Sequence, residues 1–453
     1  MNLKPYPEYK DSGVPWLGQI PVGWEIKRFK NVMILQRGHD LSNDKFIEGV
    51  FPVYGSNGII GYHKFYTTKA PCITVGRSGS VGAINFVKQD FWAHNTALFV
   101  LKNFGNNWNF LFYLLKSINL RILCGGSAVP TLNRNYIHQF VISIPSPASE
   151  QTAIARFLDW KTAQIARYIR AKQKMIALLK EQKQAIINDA VTGKIDVRTG
   201  KPYPEYKDSG VEWLGKIPVG WDVKPLKILV KSNLKSLSDK TNPDYEFNYL
   251  EINNVKEGYI LRSPTKMKFR DAPSRARRIA KSGDTIISNV RTYLRSVCHI
   301  DSELSNNLVV STGFSVLTPK EEINSEFLGF LLRGDNFIER VIINSIGVSY
   351  PAISDSKLSS LKVPFTSKNI QLSINQYISD KTKNIDVVIH SCNREIELMK
   401  EYRDRLIADV VTGKIDLRGI DVPEIPVDEI EPDGIEETEE TEIAEEEAPE
   451  GEE

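Results

Sequence analysis

With 453 residues, 41% hydrophobic and 25% charged, the chain has room for at least two cored domains and the composition of an ordinary globular protein. Its net charge of +2 joins unlike parts: 17 Asp or Glu and no Lys or Arg follow Arg418, leaving 58 basic against 39 acidic residues before it, a balance that favours a polyanion such as nucleic acid. The start, MNLKPYPEYKDSG, has no apolar signal segment and no run approaches the ~18 apolar residues of a membrane span, so a cytoplasmic protein without a membrane partner is expected; the dispersed Cys72, Cys124, Cys298 and Cys392 exclude a C-x-x-C zinc site, and no metal ligands are assigned.

Residues 1–27 hold four prolines with Trp16 and Trp24, which predicts an extended strap pinned by both tryptophans. Residues 28–147 read as a strand-rich domain, with strands expected at Cys72–Val75, Ser80–Val87 and Thr96–Val100 and one helix near Trp108–Ile118. Residues 148–192 carry no Gly or Pro, and apolar positions recur at three- and four-residue steps; one long helix is predicted, N-capped by Ser149 and ended by Gly193.

The order then repeats. Lys4–Lys27 returns as Lys201–Lys224 with four differences, and QKQAIINDAVTGKIDVR from Gln182 matches YRDRLIADVVTGKIDLR from Tyr402. Residues 193–224 are thus a connector of TGKID plus strap, 225–364 a second strand-rich domain with a helix near Phe327–Arg333, and 365–418 a second long helix with its TGKID end. The tail, 419–453, is expected to be disordered. Because the repeated pieces are joined in mid-chain and split at the ends, the termini should meet.

Two helices of ~40 residues would each be about 60 Å long and would expose an apolar stripe alone. They are expected to pack antiparallel as a coiled coil through Ile165, Ile169, Ile176, Leu179 and Ile186 on the first and Ile385, Val388, Cys392, Ile396, Met399 and Leu406 on the second, with Lys172, Lys183 and Arg403 weakening the seam locally. The fold class expected is α+β: two strand-rich domains separated by these helices, pseudo-twofold symmetric by internal duplication.

Catalytic patterns fail one by one. Gly193-Lys194 ends a helix where a phosphate loop would open one, Asn242-Pro243-Asp244-Tyr245 lacks the second proline of a base-holding N-P-P-Y loop, and Asp244 with Glu251 meets Asn253 where a nuclease needs Lys, so no catalytic residue is assigned. Binding features remain. The Gly-rich loops Tyr54–Tyr62 and Thr74–Gly82 present Asn57, Arg77, Ser78 and Ser80; in the second domain Arg275, Arg277, Arg278, Arg291 and Tyr293 play that part, and the matched segments GSAVPTLN and GVSYPAIS add Ser127 and Ser349. Arg and Asn can read base edges bidentately and Ser suits phosphates, so all eleven are DNA-binding candidates.

The segment PSPASEQTAIARFLDWKT (Pro145 to Thr162), its weaker copy around Gln371 to Thr382, the WLG-x-IP-x-GW straps and both TGKID ends resemble the DNA-specificity subunit of type I restriction-modification systems, over essentially residues 4 to 418. The second helix departs from the pattern, with Ile370 for Glu150 and Asn375-Gln376 for Ala155-Arg156, which leaves equal packing of the two halves open. The resemblance implies a non-catalytic subunit whose two target recognition domains each read half of a bipartite, gapped site in double-stranded DNA. Its helices would act as spacer and as dock for two modification subunits, which bind S-adenosylmethionine; two restriction subunits, using ATP with Mg, can join. A site of ~13 to 15 base pairs would span about 45 to 50 Å, comparable with the helical spacer. The alternatives are service to a fused restriction-methylation polypeptide, a stand-alone DNA methyltransferase or nuclease, and a purely architectural coiled-coil protein. The acidic tail, outside that pattern, is read either as a solubility segment or as a lid over a basic groove.

Overall fold

The computed structural model describes residues 3–42, 46–125, 130–146 and 148–423. It divides into two compact units, one of residues 1–172 with 393–453 and the other of residues 173–392.

In the first unit an antiparallel sheet runs in the order Ile34–Arg37, Ala97–Lys102, Cys72–Gly76, Ile84–Val87. Beside it Phe51–Gly55 pairs antiparallel with Gly58–His63 and parallel with Trp92–Ala93. The second unit repeats this plan. Val230–Ser232, Phe314–Pro319, Thr285–Ser288 and Val297–His299 form the antiparallel sheet, and Glu246–Leu250 pairs antiparallel with Thr265–Lys268 and parallel with Leu308–Ser311. One further strand, Ala276–Ala280, extends that second sheet. The strand expected at Ser80–Val87 begins only at Ile84, because Gly79 and Gly82, at φ +84 and +85, turn the chain first.

Each domain carries a helix in the same place, Trp108–Lys116 and Ser325–Leu332, and each is capped by an Asn, Asn107 or Asn324, whose side chain accepts two backbone N–H bonds. The long helices then anchor there by one device. The buried Gln151 accepts from the Asn107 N–H at 3.0 Å, and the buried Gln371 accepts from the Asn324 N–H at 2.7 Å.

The long helices span Ala148–Val191 and Lys368–Val411, 44 residues each. Two expected boundaries shift. Ser149 lies inside the first turn instead of capping it, and Phe365 ends the strand Lys362–Phe365, which pairs with Asp222–Pro225, so the second helix starts three residues later than expected. Both C-termini close alike: Gly193 and Gly413 take φ +74 and +82, and the following Lys194 and Lys414 amides donate back to Asp189 O and Asp409 O at 2.9 and 2.8 Å. A side chain at either glycine would also strike a proline of the strap, since an added Cβ would lie 2.6 Å from Pro218 Cδ or Pro21 Cδ.

Of the two strap tryptophans only Trp24 is an anchor; Trp16 is half exposed, stacked on Phe140. Trp24 is fully buried and its Nε1 donates to Glu150 at 3.0 Å, while Tyr6 OH donates to the same carboxylate at 2.7 Å. The first unit also holds the two chain ends together: Asp416 N–H donates to Lys4 O at 2.8 Å, and Tyr9 OH donates to Gly413 O at 3.1 Å. The second unit has the same bonds within one continuous segment, Asp196 N–H to Lys201 O at 2.8 Å and Tyr206 OH to Gly193 O at 3.2 Å.

Stretches of both long helices lie side by side within each unit. In the first, Lys172 pairs with Glu395 at 2.8 Å and Tyr168 OH donates to the same carboxylate; in the second, Lys183 pairs with Asp386 at 2.6 Å and also donates to Tyr259 OH. Of the expected seam residues Ile165, Ile169, Ile176, Ile385, Cys392, Ile396 and Leu406 are buried, and Leu179, Ile186, Val388 and Met399 are half-buried. The lysines expected to weaken the seam are thus paired across it, and Arg403 pairs with Asp404 at 3.1 Å.

The polar wiring of the two units differs where the second helix departs from the first. With Ile370 in place of Glu150, the buried Tyr203 OH and Trp221 Nε1 have no carboxylate to share, and Tyr203 keeps only a weak bond from the indole N–H. Asp159 accepts from Asn109 and Tyr113 at 2.8 Å each, whereas around Ser379 the second unit has a cavity of about 260 Å3. Glu150→Ala is expected to leave two buried donors unsatisfied and to destabilise the first unit by about 1–3 kcal/mol, whereas Ile370→Ala should cost the second unit only lost packing. Denaturant unfolding of the two variants, followed by tryptophan fluorescence, checks this.

Candidate nucleic-acid interface

In the first unit the central strand Cys72–Gly76 runs into Arg77 at its end. Gly76 is required there, since an added Cβ would lie 2.1 Å from Ser80 O and 2.4 Å from Ser56 O. Arg77 N–H donates to Thr96 O and Arg77 O accepts from Leu132 N–H, both at 2.9 Å, so its backbone is fixed on two sides. Its guanidinium has a single weak bond, to Asn95 O at 3.4 Å, and no acidic partner among the described residues.

Arg77 lines a cleft of about 880 Å3 with Gln36, Arg37, Leu98 and the run Thr131 to Tyr136. Asn133 caps the short helix Arg134–Gln139, which leaves Arg134, Asn135 and Tyr136 exposed at the cleft. That helix is set by His138, whose Nε2 accepts from Leu35 N–H at 3.0 Å; burial, then the nearby Arg134 and Lys30 charges, keeps the imidazole pKa low and the ring neutral. Arg37 is held back by Asp40 at 2.6 Å, and the bonds from Arg37 and Asn95 hold that carboxyl below its usual range. Asn57 is exposed at the turn of the Phe51–Gly55/Gly58–His63 hairpin, Ser78 bridges to Thr131, and Ser80 is half-buried; Ser127 lies outside the described residues, as does most of the acidic tail. The sequence reading missed Gln36, Arg37 and the Asn133–Tyr136 run, although an Asn cap followed by Arg, Asn and Tyr is a readable signal for a polar and aromatic helix start.

The second unit builds the same crossing. Thr285–Ser288 runs into Asn289, whose O accepts from Ile353 N–H at 2.8 Å, as Arg77 O accepts from Leu132 N–H. Two residues on, Arg291 adopts φ 48, ψ 50, a left-handed conformation unfavourable for a side chain of this size, and its guanidinium lies 4.8 Å from the Tyr350 ring. Tyr293 and Ser349 are exposed nearby.

Beneath this crossing stands Asp355, which sequence reading did not single out. Its carboxylate accepts from Asn233 at 3.0 Å, Arg278 at 3.0 Å, Asn289 at 2.6 Å and Ser315 Oγ. Burial pushes this carboxyl up, but the bonds from Ser315 and Asn289, the Arg278 charge and the Asn233 bond outweigh it and hold it below the ordinary carboxyl range. Arg278, expected at the DNA surface, is therefore committed inward, to Asp355 and Phe314 O. Its neighbours are paired as well, Arg275 with Glu251 at 3.1 Å and Arg277 with Asp239 at 3.3 Å. The run SRARR enters the edge strand Ala276–Ala280, whose register shifts between Ala276 and Arg278, and each of its three arginines is paired with an acid.

Two like-folded domains, one with Arg77 at the end of its central strand and the other with Arg291 in the turn that follows it, define a two-headed recognition protein. A family model described as type I restriction modification DNA specificity domain matches residues 21–176 and 218–398, so the chain belongs to that family, as a specificity component and not a catalytic one. It is similar to the type I restriction enzyme MjaVIII specificity subunit of Methanocaldococcus jannaschii, 23% identical over 426 residues, 89% of this chain and 95% of the relative. The EcoDI specificity subunit of Escherichia coli is 20% identical over 412 residues, 88% and 90% of the two chains. A solved chain from work on assembly and conformational transition of the type I R-M system shares the fold, with a TM-score of 0.60 and 14% identity over 88% of this chain and 99% of that one. No helix among the described residues is long and apolar enough to cross a membrane.

The depressed Asp355 pKa has a stability consequence. Because the folded carboxyl titrates lower than the unfolded one, its contribution is complete above the ordinary value of about 3.9 and is lost as pH falls through the lower folded value. Asp355→Asn is expected to lower the stability of the second unit at pH 7 by about 1–3 kcal/mol and to flatten its acid limb below pH 4; calorimetry from pH 7 to pH 3 measures both.

Proposed function

We propose that each unit reads one half of a bipartite, gapped site in double-stranded DNA. The observation that carries this reading is the strand-end crossing that occurs once in each unit, with Arg77 at the crossing in one and Arg291 two residues beyond Asn289 at the crossing in the other. Guanidinium groups suit bidentate contact with guanine O6 and N7 in the major groove, and the basic body of the chain supplies the sequence-independent attraction to phosphate. Since the straps are near-identical and the loops differ, the two half-sites differ.

The paired stretches of the long helices support an antiparallel coiled coil that spaces the two heads with pseudo-twofold symmetry. The same helices offer a dock for two modification subunits, with two restriction subunits able to join. In that assembly S-adenosylmethionine is handled by the modification subunits and ATP with Mg by the restriction subunits, and this chain supplies the address.

The test is methylome sequencing of DNA from cells producing this chain with its modification subunit, beside cells carrying Arg77→Ala or Arg291→Ala. The parent should give a gapped adenine-methylation motif, Arg77→Ala should relax one half of it and Arg291→Ala the other, each by about 1–3 kcal/mol of discrimination at the affected position. An assembled complex that leaves no gapped motif would refute the reading.

A further inference from the structure

A short segment beside Arg291 carries an apolar tip that the fold does not use. Ile346 and Ala352 exchange both backbone hydrogen bonds, Ile346 N–H to Ala352 O at 2.8 Å and Ala352 N–H to Ile346 O at 2.9 Å, and Val290 bridges to Ala352. Gly347 makes the turn at φ +115, where an added Cβ would lie 2.9 Å from Tyr350 O. The base of this loop is therefore fixed to the strand end that bears Arg291, and Thr292 Oγ1 lies 2.9 Å from Ser345 Oγ on its other flank.

On that fixed base Ile346 is 85% exposed, Val348 fully exposed and Tyr350 58% exposed. Scattered surface apolar side chains need no explanation, but three on one five-residue tip form a projection that water disfavours. A cation marks what it meets: the Arg291 guanidinium, held in its left-handed conformation, lies over the Tyr350 ring and shares the tip. A rigid apolar projection with an arginine beside it suits a polyanion whose interior is stacked and apolar.

We propose that the Ile346–Tyr350 tip is a wedge that enters between adjacent base pairs of duplex DNA and kinks it, Val348 and Tyr350 taking the place of the lost stacking while Arg291 meets the flanking phosphate or groove. This rests on the DNA-reading function above and adds a mode of readout to it: flexible pyrimidine–purine steps unstack most easily, so the wedge selects sequence by deformability at a step whose edges need not be touched.

The full chain would be used to enrich a library of random 40-base-pair duplexes, and the recovered site would be labelled at its ends with a donor–acceptor dye pair and, at successive steps, with 2-aminopurine. One step should brighten on binding and the ends should approach. Val348→Ser and Tyr350→Ala should each abolish the brightening and weaken binding about ten-fold, by analogy with the loss of base–aromatic stacking, while Val348→Leu keeps both signals. The melting temperatures of the two Val348 variants should match the parent, as Val348 is fully exposed. A site that is enriched but shows neither brightening nor bending, or a Val348→Ser protein that bends it as the parent does, overturns the wedge and leaves the recognition reading intact. A Val348→Ser protein that still kinks DNA but no longer copurifies with the modification subunit would make the tip a protein dock and equally overturn the wedge. If no sequence is enriched, both readings fall.

Discussion

The close approach of a helix end to a proline governs this molecule. At Gly193 and Gly413 the long helices stop in the left-handed conformation, and the strap prolines Pro218 and Pro21 lie where any side chain would be. The strap then buries its tryptophan, Trp221 or Trp24, and continues into a strand that pairs with the strand leading into the other long helix: Trp24–Arg28 with Val141–Pro145, and Asp222–Pro225 with Lys362–Phe365. Each strap therefore sews the C-terminus of one long helix to the N-terminal approach of the other within its unit. Within each unit that stitching accompanies ion pairs between the two long helices, Lys172 with Glu395 in one and Lys183 with Asp386 in the other.

The two stitches are chemically unequal, in a way that follows from connectivity. The second runs through continuous chain from Gly193 to Trp221, so its closure costs little entropy, and it has no carboxylate for the Tyr203 hydroxyl and the Trp221 indole N–H. The first joins segments far apart in the chain, those of Lys4 and Asp416. It has the added Glu150 carboxylate, which takes both corresponding donors, and Arg418 packed 4.9 Å from the Tyr6 ring. Polar anchoring is heavier where covalent continuity is absent.

The parts of this arrangement that were legible in sequence are those whose signal is local or duplicated. The absence of Gly and Pro over 148–192 sufficed for a helix, and the paired TGKID ends sufficed for its stop and for the meeting of the termini. What stayed hidden depends on distant partners. Asp355 draws its donors from positions 40 to 122 residues away, and Glu150 from 126 and 144 residues away, so nothing adjacent marks either as a hub. Arg278 misled for the same reason: a run of arginines reads as a solvated surface until an acid from another element turns one of them inward. The aromatic strap misled at Trp16, because periodicity cannot tell a tryptophan that fills a core from one that lies flat on a domain face.

That division between local scaffold and distant wiring also accounts for how one fold can carry two different heads. The crossing in each unit is made by backbone atoms, Leu132 N–H to Arg77 O and Ile353 N–H to Asn289 O, and in the second the Asn289 side chain is itself bonded to Asp355. Arginine occupies the crossing itself in one unit and stands two residues beyond it in the other, with a cleft beside the first and a projecting tip beside the second. The exposed side chains around it, unlike Asn289, can change without disturbing the sheets, because the groups that hold the crossing in place, Gly76 against Ser80 O in one unit and Asp355 bonded to Asn289 in the other, lie beneath it. One layer of backbone hydrogen bonds thus separates the exposed side chains at each strand end from the sheets that carry them.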